Sequence, residues 1–432
     1  MSALFFYDDA AARALAPFSL TRPACELRAG ALLMRERWER ALGLQGGGFV
    51  GAEHLRDFDE SGAVRSATGV LRKGTVIVNA RCAVALDVAR SADVWRCDGR
   101  VAAVTLDRDV DAAALAGGSA ALERFARAGG RDATIAGVWM DHVWDYIAHL
   151  SPMLTQDIAA LSTSATRRDP GPGVTGPHGV FVEDGATVEP HVYFDTAAGP
   201  VLVRRKATVM AFTRIVGPCV IGEESQVGGD KIAACSIGNV CKVHGELSAT
   251  ILLGHSNKGH DGFVGHSYLG RWVNLGAGTI TSNLKNTYGT VQLWTPGGEQ
   301  DTGQQFIGTM FGDHVKTGIG TSLSTGTVIG AAANVYGSAM PPKVVPPFAW
   351  GDQLPYSTYR IDKFLEVARR VMQRRHVDLS VRQSRQLTAA YELRERTTGK
   401  AGTARAGTTK AGTKRAGTKK AGTTKTGARK KR

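Results

Sequence analysis

At 432 residues with 43% hydrophobic content, the chain exceeds one typical domain, and two bodies with real cores are expected. No apolar run approaches the roughly 18 residues of a membrane span, and the N-terminus MSALFFYDDAA has neither a basic region nor a cleavage site, so a cytoplasmic protein is expected. The formal charge of +14 points to nucleic acid only until it is located: twelve Lys or Arg and no acid lie from Gly399 onward, which leaves the rest nearly neutral.

Residues 1–162 read as α/β. LFFY is a short strand ending at Asp8 and Asp9, and residues 25–43 have helical spacing through Leu27, Leu32, Met34, Trp38 and Leu42. Gly46, Gly47 and Gly48 read as a flexible link rather than a phosphate-cradling loop. Strand-like runs follow at TVIVNA and RVAAVTL, and residues 133–161 read as a closing helical stretch. Residues 163–179 are crowded with Pro and Gly and read as a linker.

From 180 to 345 an aliphatic or aromatic residue returns at every sixth place, as in Val203, Val209, Ile215, Ile221 and Val227, and later Phe311, Thr317, Leu323, Ile329 and Val335. Four residues after each comes a small or β-branched one: Ala207, Thr213, Cys219 and Ser225, then Val315, Thr321, Thr327, Ala333 and Ala339. Strands alternate faces with period two, so both positions of a six-residue unit point inward. Three such units, roughly 18 residues, wind one coil of a triangular parallel β-helix. The six cysteines form no C-x-x-C pair, and Cys219 and Cys241 fall on the small inward position as core filler. Register slips between Ile251 and Leu275 and between Asn283 and Phe306, where loops are expected to leave the corners.

Past Met340 the prolines of PPKVVPPFAWG are expected to end the sheet. A helix follows with Ile361, Phe364, Leu365, Ala368, Val371 and Met372 on one face, within a helical segment 346–398. The Gly/Thr/Ala/Lys tail 399–432 cannot bury enough apolar surface to order itself. It is either a weak, salt-dependent polyanion binder or a solvated extension.

The stretch GHSNKGHDGFVGHSYLGRWVNLGAGTITSN, residues 254–283, holds the candidate chemistry. His260 can take a proton from an attacking amine or hydroxyl near neutral pH. Gly276, Ala277 and Gly278 let a ligand approach the backbone. This stretch resembles the acetyltransferase segment of the bifunctional N-acetylglucosamine-1-phosphate uridyltransferase/glucosamine-1-phosphate acetyltransferase family, with its K-x-G-H-x-x-Y-x-G and N-x-G-A-G-T-x-T-x-N patterns. LAPFSLTRPACELRAG near the N-terminus is similar to the opening of the GlmU-like sugar nucleotidyltransferase branch. The resemblance implies a reduced nucleotidyltransferase-like α/β domain followed by a left-handed parallel β-helix, assembled as a homotrimer with the acetyl-coenzyme A site between subunits. It implies that His260 is the general base, that Asn274 and Lys258 belong to the sugar site, and that Ala277, Asn283 and Gly276 line the acetyl-coenzyme A site. Arg214 lies near where the family holds the sugar phosphate, or is a solvated coil arginine. Arg22 and Arg28 are placed to hold nucleotide phosphates such as those of UTP, and Asp8 and Asp9 to ligate Mg2+; surface ion pairs or helix capping explain these four equally well. Phe263 and Leu284 stand where the family has tyrosines, and Lys285 is only close to the place of its loop lysine. Two other readings compete: a zinc hydratase using His255, His260 and His266, and a noncatalytic scaffold with a degenerate N-terminal half.

Overall fold

The computed structural model describes residues 3–88, 91–168, 173–352 and 354–397; the expected disordered tail lies outside them. No helix among the described residues is long and apolar enough to cross a membrane.

The N-terminal region is built on a mixed six-stranded sheet. Leu4–Tyr7 lies near its edge, parallel to Gly46–Val50 on one side and to Val76–Asn79 on the other. Arg100–Thr105, Val94–Cys97 and Asp132–Thr134 extend it. Gly46 to Gly48 therefore form an edge strand, not a flexible link. The reason is close approach: a Cβ on Gly47 would lie 2.9 Å from the Phe5 ring, and one on Gly46 2.8 Å from Glu39 Oε1.

After the short helix α1 (Ala10–Arg13), the expected helix over 25–43 starts late. Residues Arg28–Ala29 and Leu32–Leu33 make a hairpin turning at Gly30, where φ is 62° and a Cβ would meet Asp157 Oδ2 at 2.2 Å. Only then does α2 (Met34–Leu42) begin, with Glu36 Oε2 accepting from the Leu33 N–H at 2.9 Å and Gly43 in the left-handed region at its end. The closing stretch is likewise helical only in part. Its start is strand (Asp132–Thr134 and Gly137–Trp139), and α3 (Asp145–Ala148) and α4 (Leu150–Leu161) follow. Within the expected linker, Thr166–Arg168 pairs antiparallel with Val180–Val182 and so already belongs to the next unit.

That unit is the triangular β-helix. Its first face is ten-stranded among the described residues and runs from Thr166–Arg168 through Val201–Val203, Ile251–Leu252 and Thr309–Phe311 to Val344–Val345. The second face carries Thr208–Val209, Gln226–Gly228, Lys242–His244 and Asn257–Lys258, and the third carries Tyr193–Asp195, Arg214–Val216, Lys231–Ala233, Leu247–Ser248 and Val264–Gly265. Both inward series are buried as their spacing required; Ala339 alone is exposed. Partnered residues on the first face are 18 apart at Val203 and Ile221, but 16 at Ile221 and Ile237 and 15 at Ile237 and Leu252. The coils therefore shorten before the stretch where slippage was expected, and inside it Leu252 and Leu269 are 17 apart. At the third-to-first corner, residues 284–306 leave the prism and form the hairpin Gln292–Thr295/Gly298–Asp301.

The prolines after Met340 do not end the sheet. Val344–Val345 and Ala349–Gly351 add one more coil. The carbonyls of Lys343 and Val345 accept bonds from the preceding coil (2.7 and 2.8 Å), the Phe348 N–H donates one to Ala331 O (2.8 Å), and Pro346 and Pro347 fall between them at the corner. Helices α5 (Ile361–Gln373) and α6 (Val381–Thr397) then pack on the first-to-second corner, with Phe364, Ala368 and Leu387 against Ala332 and Phe348.

The first face is covered by the N-terminal region. Outward-pointing Leu202, Val220, Ile251, Tyr268, Met310 and Val328 share one core with Leu32, Trp38, Leu154 and Ile158. Polar groups fix the register of this contact. The Tyr268 hydroxyl donates to Arg28 O (3.1 Å) and accepts from Arg28 N (2.6 Å), and Ser236 Oγ donates to Gly30 O (2.6 Å). Arg22 bridges Asp313 and Glu60 (2.9 Å each), and Glu60 also takes Arg271 at 2.6 Å. Burial raises the Glu60 carboxyl, but the two guanidiniums outweigh it and hold it at about 2.

Candidate active site

With the first face covered, the opposite vertex, between the second and third faces, carries His260. Its loop leaves Asn257–Lys258 and re-enters at Val264–Gly265, and His260 is exposed on it. Gly262 makes the vertex possible. Its φ is 115°, and a Cβ there would lie 2.3 Å from Thr279 O. The Gly278 N–H donates to Asp261 O at 3.1 Å and the Thr281 N–H to Phe263 O at 2.9 Å, which ties the loop to the next coil.

Lys258, expected at the sugar site, is not on the surface. It takes the inward position aligned with Val243 and is 1% exposed. Its ammonium donates to the carbonyls of His244 (2.9 Å) and His260, and burial lowers it to about 8. It supports the vertex from inside. An inward lysine in an otherwise apolar column was visible from the repeat register, and the sequence reading passed over it.

Asn274 stands one coil beyond Asn257 and accepts from its Nδ2 at 2.8 Å, which leaves its own Nδ2 as a donor. Gly276 is required by stacking, since a Cβ would meet Gly318 O at 2.5 Å; the Ala277 carbonyl accepts from Gly320 N at 2.7 Å. Asn283 sits at the third-to-first corner, where Nδ2 donates to His266 Nδ1 at 2.8 Å. The His266 ring stacks 5.3 Å from Phe306, and burial lowers its pKa, so it stays neutral. This His266–Asn283 pair was not foreseen. Arg214 is three strands from Val264–Gly265 on the third face, about 14 Å by strand spacing, and it pairs with Asp195 at 2.7 Å. Lys231 and Glu246, paired at 2.8 Å, lie between.

The three histidines of the zinc reading occupy three different corners: His255 before Asn257–Lys258, His260 after it, and His266 after Val264–Gly265. They cannot share an ion, and no group of three metal-binding side chains occurs among the described residues.

In the N-terminal region the phosphate and Mg2+ expectations fare differently. The Arg22 side chain is 1% exposed and spent on two carboxylates, so it docks the two regions rather than facing a nucleotide. Arg28 is buried, and among the described residues its side chain has Ala31 O (2.5 Å) as its partner. Asp9 caps α1 and takes two hydrogen bonds from Arg81 (2.8 and 2.6 Å) and one from Asn79 (2.8 Å). Burial raises its carboxyl, yet Arg81 lowers it further. Asp8 is buried with Ala24 N as its donor, and burial lifts it to about 7. Both carboxylates thus already accept hydrogen bonds within the protein, Asp9 from Arg81 and Asn79 and Asp8 from the Ala24 N–H.

Comparison with known proteins agrees with the motifs. Residues 4–166 match the sugar nucleotidyl transferase family. A bifunctional sugar-1-phosphate nucleotidylyltransferase/acetyltransferase of Sulfurisphaera tokodaii is 33% identical over 95 residues, 22% of this chain and 24% of that protein. The bifunctional protein GlmU of Bartonella quintana is 33% identical over 111 residues, 24% of this chain and 23% of its own length. The chain thus spans about a quarter of the length of these relatives. Among solved structures, a mutant of AntD, an N-acyltransferase from Bacillus cereus in complex with dTDP-4-amino-4,6-dideoxyglucose and coenzyme A, shares 13% identity with a TM-score of 0.22, covering 46% of this chain and 91% of that one. Residues 4–166 thus resemble the sugar nucleotidyl transferase family, and a parallel β-helix follows them.

Proposed function

We propose that the β-helix transfers acetyl from acetyl-coenzyme A to the amine of an amino-sugar 1-phosphate such as glucosamine 1-phosphate. The observation that carries this reading is His260, presented on the one vertex opposite the covered face and braced from within by Lys258. His260 accepts the proton that the amine sheds as its nitrogen attacks the thioester carbonyl; the C–S bond then breaks and coenzyme A leaves as thiol. Asn274 orients the sugar, and the backbone at Gly276 and Ala277, together with Asn283, flanks the acyl carrier. An exposed base needs a second wall, and we assign it to a neighbouring subunit of a homotrimer, to be checked by light scattering.

The test uses purified protein, acetyl-coenzyme A and glucosamine 1-phosphate, with released thiol as the readout. His260→Ala should lower the rate at least about 100-fold while the oligomer persists, and unchanged turnover would reject the assignment. Nucleotidyl transfer with UTP is the companion activity we assign to the N-terminal region, read as pyrophosphate release. The state of Asp8 and Asp9 favours a second reading, acyl transfer alone beside a noncatalytic N-terminal region, and absence of pyrophosphate would select it.

A further inference from the structure

On the second face of the β-helix the outward positions of successive coils form one column in register: Lys242, Asn257, Asn274, Lys316 and Asn334. Neighbours in such a column stand about 4.8 Å apart. The column is polarised. Asn257 donates from Nδ2 to Asn274 Oδ1 at 2.8 Å, which spends the Asn274 acceptor on the Asn257 side and leaves Nδ2 for the side of Lys316. An ammonium can only donate, so at that end two donors adjoin with no acceptor between them. Lys316 is half-buried and gives one long bond, to His314 O at 3.4 Å. Burial lowers it to about 8, and no carboxylate among the described residues offsets that cost. The neighbouring cations are engaged elsewhere: Arg214 and Lys231 on the third face are each paired with a carboxylate, and Lys258 lies inside the prism.

We propose that Lys316, together with Asn274 Nδ2, holds the phosphate of the amino-sugar 1-phosphate acceptor, in place of Lys258 and Arg214. The identity of the acceptor rests on the acyl-transfer reading; the anion site follows from the column itself. Phosphate oxygens accept from both donors and bring the counter-charge that Lys316 lacks. The spacing suits such a ligand. Lys316 stands two coils beyond Asn257, whose strand leads into the His260 loop, a rise of roughly 10 Å. The amine and the phosphate of a 2-amino-sugar 1-phosphate are on adjacent carbons, so with one hydrogen bond at each end the ligand bridges that rise, its amine at His260 and its phosphate at Lys316. Lys242 adjoins the amide pair from its acceptor end and is exposed, which leaves it outside the site.

The experiment compares glucosamine 1-phosphate with glucosamine, which lacks the anion, on the full chain by calorimetric titration and by thiol release with acetyl-coenzyme A. The wild type should bind the phosphate at least about tenfold more tightly. In Lys316→Met that preference should vanish and the KM for glucosamine 1-phosphate should rise by the same factor, while the KM for acetyl-coenzyme A stays unchanged. Lys316→Arg should recover part of the preference, and Lys242→Met should match the wild type. The Tm of Lys316→Met without ligand should not fall, because a desolvated charge has been removed. His260→Ala should keep the preference, so phosphate-dependent binding without thiol release would reject acyl transfer and still support the anion site. A wild type that binds both compounds alike, or neither, would overturn the proposal. So would a preference retained in Lys316→Met, or one lost equally in Lys242→Met.

Discussion

Adjacent aspartates at the end of the first strand are in opposite states. Asp9 is held ionised by Arg81, whereas burial keeps the proton on Asp8 up to about pH 7. The folded chain therefore binds a proton that the unfolded chain releases near 3.8, and stability declines as pH rises through the window from 3.8 to about 7. Asp8→Asn should be tolerated and should flatten that decline by a few kcal/mol at most, as measured by urea unfolding at pH 5 and pH 8. An unchanged decline in the variant would show that Asp8 is held ionised instead. The sequence displayed both aspartates but not their partners, because Arg81 lies 72 positions from Asp9 and Asp313 lies 291 from Arg22. Lys258 was misplaced for a different reason. Lysine is so seldom interior that its inward register was outweighed by its chemistry.

At the scale of elements, the repeat was legible and its corners were not. Two phased inward series mark a coil without ambiguity, whereas the turns between them are made largely by residues with no compositional signature. Lys206, Glu224, Val240, His255, Trp272, His314, Ala332 and Phe348 all adopt φ between 54° and 63° at successive first-to-second corners. Side chains rarely enter that region unless the surrounding structure dictates it. The hexad exit differs from expectation similarly: proline lacks a donor, but the last coil is held through the carbonyls of Lys343 and Val345 and the N–H of Phe348 on either side of the proline pair. Gly262 gives the sharpest test of a corner. Gly262→Ala meets both a φ of 115° and the Thr279 carbonyl, so it should cost about 2–3 kcal/mol and depress acetyl transfer by moving His260. Denaturant midpoint and thiol release should fall together; full activity at lowered stability would detach His260 from the reaction.

For the whole molecule, Glu60 is the clamp. It is buried between Arg22 and Arg271, so Glu60→Gln leaves Arg271 without its carboxylate and Arg22 with Asp313 alone, and should cost about 3–5 kcal/mol. Differential scanning calorimetry should show the single transition of the wild type splitting in two as the N-terminal region melts away from the β-helix. One undivided transition at the original temperature would mean that the apolar contact suffices.

That apolar contact also limits how the gene can be cut. Along seven strands of the first face, side chains on both sides of the sheet are mostly apolar: the inner ones fill the prism, and the outer ones, from Leu202 to Val328 with Ser236 as the polar exception, need the N-terminal region as a lid. Expressing residues 173–397 alone would unroof that strip and offer a flat oily wall to every other copy in the cell. Inclusion bodies are the expected harvest, rescued by co-expressing residues 1–168 as a separate chain.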